Sequence, residues 1–302
     1  MSGDNQKENQ EKIEKFWLKN LWKVFSIETF LFSFSLFLGI LSALKTTEIL
    51  QAEKINIEKI SFWHFIVFFL FATIFFLFFV YFFKPKKTKK IIYKITFLFT
   101  TFLAGLFCLE SFFKEPLALI IMFFLVSWWL KRPILLNHNI LMVLAIAGTG
   151  SALGLAMDPL LVLILLIIFS LYDFIAVYKT KHMVKMATDM IENQAILGII
   201  LPFNLSQFNT HLKEVKVGSG FIVLGAGDIV FPLLFAVSLL SSSFLEVIMV
   251  VLFSFFGLFL GFYIFISQKT RKPFPALPPI AFFSIIAFLL ARIFSYFWKT
   301  FI

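Results

Sequence analysis

Apolar runs of near membrane-spanning length, broken by short basic loops, constrain this chain more than any other feature. A helix that crosses a bilayer needs about 20 mostly apolar residues. Nine segments approach that measure: 24–44, 62–83, 91–109, 116–130, 139–157, 159–178, 219–240, 244–266 and 275–298. Only Asp158-Pro159 separates the fifth from the sixth, so those two form a tight antiparallel hairpin. The chain is 60% hydrophobic and carries 46 phenylalanines in 302 residues. Soluble domains are about 45–50% apolar, so water is the wrong solvent for most of this surface. The expected fold is an all-α polytopic membrane protein with nine transmembrane helices.

The basic residues set the orientation. Outside the apolar runs, twenty Lys and Arg fall on one side and five on the other. The positive-inside rule then puts the N-terminus in the cytoplasm and the C-terminus outside the cell membrane. The net charge of +10 reflects this sidedness and implies no nucleic-acid partner. The chain divides into a cytoplasmic tail (1–23), spans one to six (24–178), a cytoplasmic loop (179–218) and spans seven to nine (219–302). Residues 9–22, NQEKIEKFWLKNLW, read as an interfacial amphipathic helix or a disordered tail. No cleavage site follows the first apolar run, so no signal peptide is expected. Cys108 is the one cysteine and the four histidines are scattered, without HExxH or CxxC spacing. No metal or cofactor is expected.

Two acids stand deep inside apolar runs: Asp173 in IFSLYDFIAVY and Asp228 in LGAGDIVFP. An aspartate near mid-membrane costs about 2.5–3.5 kcal/mol on insertion scales. At about 1.5 Å per residue, Asp173 lies about 9 Å from the cytoplasmic end of span six, and Asp228 about 15 Å from the start of span seven. A non-helical start at Gly218 and Gly220 brings the two depths together. Glu28, Glu110, Asp158 and Glu246 read as peripheral.

Two carboxylates at one level in a low dielectric share a proton. One then takes a proton from water while the other polarises a carbonyl, as in peptide hydrolysis. The same pair also suits a proton relay in a transporter. Gly225 and Gly227 strip side chains from beside Asp228, leaving room for another backbone. Gly150 with Gly154, and Gly257 with Gly261, read as helix-packing pairs. The ninth run opens on RKPFPALPPIAFF, whose prolines exclude a regular helix. Irregular backbone at membrane depth requires a protein-lined or wet cavity.

Tyr172-Asp173, Gly225-Ala226-Gly227-Asp228 and Pro275-Ala276-Leu277 resemble the YD, GxGD and PAL motifs of presenilins and signal peptide peptidases. They occur in the family's order on spans six, seven and nine, and the match looks closest to archaeal presenilin-like homologues. The resemblance implies a presenilin-like fold and an intramembrane aspartyl protease with Asp173 and Asp228 as its catalytic dyad. Pro275, Ala276 and Leu277 would position substrate, and Tyr172 would flank the dyad. The partners implied are transmembrane-helix substrates within a lipid bilayer, without accessory subunits, in the cell membrane of an archaeal-type prokaryote. The rival reading is a proton-coupled transporter using the same aspartates; no second half resembles the first, as an inverted repeat would require. Residues 213–218, KEVKVG, alternate, with Val215 and Val217 on one face. They are expected to form a strand that pairs with an unwound substrate.

Overall fold

The computed structural model describes residues 2–56, 58–82, 86–215, 220–268 and 273–301. Its first helix, α1 (Ser2–Ala52), runs unbroken through both the expected interfacial helix and span one. It contains no proline and, after Gly3, no glycine before Gly39, so nothing in the backbone chemistry stops it. Then follow α2 (Phe62–Phe82), α3 (Lys86–Glu110), α4 (Glu115–Lys131), α5 (Leu135–Ala156) and α6 (Pro159–Tyr178). Pro159 stands at the first position of α6, where no intrahelical N–H is needed. α5 and α6 are joined through Met157 and Asp158 alone, but the two helices do not pack along each other, so the expected tight antiparallel hairpin is only a short connection.

The expected loop 179–218 is more structured than its polarity suggests. It holds α7 (His182–Glu192), β1 (Gly198–Pro202) and two 3-10 turns, Leu205–Asn209 and Leu212–Glu214. Met183, Ala187 and Met190, with Val184 and Ile191, recur at helical spacing and give α7 one apolar face. Of the segment 213–218, expected to pair with substrate as a strand, only residues 213–215 are described, and they are not extended into a strand here. Lys213 and Glu214 lie in the second 3-10 turn, Val215 follows it with its side chain buried, and Val217 falls outside the described residues.

The strand lies a few residues later. β2 (Phe221–Gly225) opens the segment expected to be span seven, and α8 (Ala226–Ser238) completes it. Gly220 enters β2 at φ +97°, a conformation only glycine adopts without strain. Phe221, Ile222 and Val223 then suit an extended backbone. β1 and β2 pair antiparallel, from Gly198 opposite Gly225 to Pro202 opposite Phe221. A Cβ at Gly198 would lie 2.5 Å from the Leu224 carbonyl oxygen, so this close approach needs glycine. α9 (Phe244–Ser267) and α10 (Leu277–Phe301) end the chain.

Six helices among the described residues are long and apolar enough to cross a membrane: the Leu21–Ala52 part of α1, the Lys90–Glu110 part of α3, α5, α6, α9 and the Leu277–Phe297 part of α10. The other expected spans correspond to α2, to the 17-residue α4 and to the 13-residue α8. α5 is the central post. Its apolar window is 61% buried, against 28–39% for the other five. It packs on α1, α3 and α8, and Gly150 and Gly154 let Leu233 and Val237 of α8 come close. Gly257 does the same for α10 at Pro279 and Ile280. Glu246 of α9, expected at the periphery, is buried, and its Oε1 pairs with Arg292 of α10 at 3.6 Å.

Candidate active site

Asp173 sits on α6 one turn after Phe169, and Asp228 is the third residue of α8, three before Phe231. The Phe169 and Phe231 rings meet with centroids 4.8 Å apart, which ties α6 to α8 beside both acids. The two carboxylates lie within electrostatic range of each other. Asp173 is 5% exposed and its neighbours Leu171, Tyr172 and Phe174 are turned outward. One polar residue thus faces inward from an otherwise greasy helix.

Asp228 owes its pose to the start of α8. Gly225 is the N-cap, and Asp228 occupies the position from which an acid reaches back to the N-cap N–H. The Asp228 carboxylate accepts that Gly225 N–H. The helix dipole also favours a negative group in this first turn. Pro232, four residues on, has no N–H to give the Asp228 carbonyl, so the ladder is interrupted beside the acid.

The two motif glycines are unequal. A Cβ on Gly225 would stand 3.0 Å from Asp228 Oδ2, whereas one on Gly227 would meet only Phe231 ring carbons at 3.7 and 3.8 Å. The approach that Gly225 permits is that of the Asp228 side chain. This corrects the expectation that both glycines admit another backbone.

The third element is the Pro275-Ala276-Leu277 segment. Pro273 to Pro275 hold no regular secondary structure and Ala276 bends, so the irregular backbone expected here is present. Leu277 opens α10, and Pro278 and Pro279 fill the first turn, where prolines remove no intrahelical bond. The Leu277 N–H, spare at a helix start, is donated to the Asp173 carboxylate. Asp173 Oδ2 has no hydrogen-bond partner among the described residues. Pro275 and Leu277 are buried. Tyr172 stands apart: it is 53% exposed and lines neither of the two cavities described below.

A cavity of about 300 Å³ meets this segment at Ala276, and neither aspartate lines it. Phe221–Leu224 of β2, Pro273, Phe274 and Ala276 form part of its wall, together with α7, α9 and Glu28 of α1. A larger groove of about 1150 Å³ lies elsewhere, between α1, α5 and residues 203–208.

Three features escaped sequence reasoning. Glu28 is 6% exposed and within electrostatic range of Asp228, not peripheral. Asn139 of α5 grips β1: its side-chain N–H donates to the Ile200 carbonyl at 2.8 Å and its Oδ1 accepts the Ile200 N–H at 2.9 Å. His138 Nε2 lies 3.1 Å from the Gly198 carbonyl oxygen. Asn137-His138-Asn139, three polar residues opening an apolar run, was the available signal.

These paired intramembrane carboxylates, embedded in a bundle of long apolar helices, define a class of aspartyl membrane protein. The family model for signal-peptide peptidase, presenilin aspartyl protease matches residues 28–297. The chain belongs to that family and is a multi-pass integral membrane protein. Two solved structures of a presenilin family intramembrane aspartate protease share the fold. The C222 crystal form matches with TM-score 0.57 and 20% identity, covering 86% of this chain and 94% of that one. The P2 form matches with TM-score 0.53 and 21% identity, covering 87% and 97%. No curated protein matches this chain.

Proposed function

We propose that this protein is a GxGD-type aspartic endopeptidase that cuts peptide bonds inside transmembrane helices, with Asp173 and Asp228 as its dyad. The observation that carries the reading is the convergence of three elements. Asp173 from α6 and Asp228 from α8 are electrostatic neighbours, and the first residue of α10 donates its N–H to Asp173. Between them the dyad holds one proton. The ionised carboxylate removes a proton from water, which attacks the scissile carbonyl, and the protonated one hydrogen-bonds the developing oxyanion. Pro275, Ala276 and Leu277 hold that wall in place.

A transmembrane substrate must unwind before its amides are accessible, and its freed N–H and C=O groups then need partners. The outer edge of β2 supplies them. In the register of the sheet, Ile200 turns its N–H and C=O away from β2 toward Asn139. Val223, opposite Ile200, therefore turns its own pair away from β1. The unwound segment adds there as a third strand, a few residues before Asp228.

We further propose nine spans with a cytoplasmic N-terminus, the division at residues 23, 178 and 218, activity without accessory subunits, and residence in an archaeal-type cell membrane. The lysine asymmetry supports the orientation.

The test uses purified protein in liposomes with a single-span reporter, its products mapped by mass. Asp173→Asn and Asp228→Asn should each lower turnover by at least about 10²–10⁴-fold, the usual worth of general acid–base chemistry. The wild-type rate should follow a bell in pH, as a shared proton requires. Robust cleavage by either variant would reject the dyad.

A further inference from the structure

Among the described side chains of α1, Glu28 is the polar one that combines deep burial with a place on the 300 Å³ cavity. It is 6% exposed, and its Oε2 has no hydrogen-bond partner among the described residues. It lines the 300 Å³ cavity with the β2 residues Phe221–Leu224 and with Ala276. Apart from Thr188, the other residues of that wall are apolar or glycine. A carboxyl group left without a partner in such a place is costly. Glu246 on α9 also keeps one oxygen without a partner, but Arg292 stands 3.6 Å from the other, whereas no cation pairs with Glu28 among the described residues.

The edge strand states what is missing. A chain added to β2 bonds β2 with alternate residues only. The remaining N–H groups of that chain point away from the sheet, into a cavity where water is scarce. Each of them is as costly when unpaired as it was in lipid. An acceptor on another wall of the same cavity answers that need, and Glu28 is the acidic side chain available there.

We infer that Glu28 is a substrate-contact residue whose carboxyl accepts a backbone N–H of the unwound substrate, on the side turned away from β2. The inference rests on the proposed protease reading. It assigns α1 a part in recognition that no motif marks. The occupant it implies is an extended peptide with apolar side chains, held by two acceptors of different origin: the Val223 carbonyl on one edge and Glu28 on the other.

The experiment is an amide-to-ester scan of a synthetic single-span substrate, leaving the scissile bond as an amide. Wild-type cleavage of the all-amide peptide, abolished by Asp228→Asn, tests the protease reading separately. The scan then tests Glu28. At one position near the scissile bond the ester should lower wild-type kcat/KM about 5- to 10-fold, the usual worth of a buried hydrogen bond. In Glu28→Leu the same ester should cost nothing further. In Glu28→Gln, which keeps an acceptor of the same shape, the penalty should be intermediate. Identical ester penalties at every position in wild type and Glu28→Leu would overturn the inference. Should Glu28→Leu fail to fold, Glu28→Met, an unbranched apolar side chain of similar length, decides: an undiminished penalty at that position overturns the inference. A carboxyl that serves only Asp228 would change the rate on all peptides alike and show no such coupling, which also overturns it.

Discussion

The two edges of the small sheet are built from similar residues and treated in opposite ways. On β1, Asn139 takes both polar groups of Ile200 and His138 meets the Gly198 carbonyl. On β2, the matching groups of Val223 turn away from β1, and Val223 lines the cavity with Phe221, Ile222 and Leu224. Two buried polar side chains on the most buried helix are spent on closing one edge. At the end of the other, only the Gly225 N–H is taken, by Asp228 itself. Unpaired edges are a liability that proteins normally cover. The contrast between a sealed edge and an open one is what the proposed strand addition at β2 rests on.

Proline substitution breaks this comparison most sharply. Val223→Pro removes the outward N–H while leaving the ladder to β1 intact, since prolines are tolerated at such edge positions. Cleavage of the reporter should fall by about 100-fold or more, with the melting temperature within a few degrees of wild type. Ile222→Pro, one residue earlier, removes an N–H that faces β1 and should lower the melting temperature as well. Equal thermal losses in the two variants would show that both edges are structural.

The next effect is at the dyad end of the open edge. Gly225→Ala pushes a methyl group against Asp228 Oδ2, and we expect kcat to drop about 10-fold, since misplacing a reacting group is costly even at small distances. Gly227→Ala should leave kcat within about twofold and raise stability by about 0.5–1 kcal/mol, as removing glycine from a helix does. Activity assays on both, with thermal melts, would separate the two; equal damage from both would mean that the backbone, not the carboxylate, needs the space.

The smallest effect belongs to the closed edge. Asn139→Ala orphans the Ile200 N–H and C=O and should cost about 1–3 kcal/mol of stability. Cleavage below the melting transition should change much less than in Val223→Pro. A large rate loss without a thermal shift would move the recognition surface to β1.

Much of the fold was legible in the sequence because lipid is an unforgiving solvent. Runs of twenty apolar residues have few alternatives to helices, and the short α5–α6 connection, the proline-broken entry to α10 and the glycine packing pairs all follow from local rules. Asp173 and Asp228 stood out for the same reason: charge in an apolar run is conspicuous. The strand β2 did not, because Phe221-Ile222-Val223-Leu224 reads equally well as the first turn of a spanning helix. Its identity depends on β1, twenty-odd residues away, lying alongside it. The alternation at 213–218 was a truer strand pattern, yet Lys213 and Glu214 lie in a 3-10 turn.

Glu28 shows the same limit from the other direction. It looked peripheral because it lies near the polar end of span one, and distance along a helix axis says nothing of which face a side chain presents. What the sequence alone determined is the membrane environment, the helical segments and the pair of acids, since each depends on composition within one stretch. Which edge is open, which glycine touches a carboxylate and which distant acid joins the cavity were decided only by tertiary packing. Those are relations between segments far apart in the chain, and hydrogen-bond register and burial exist only once the segments have met.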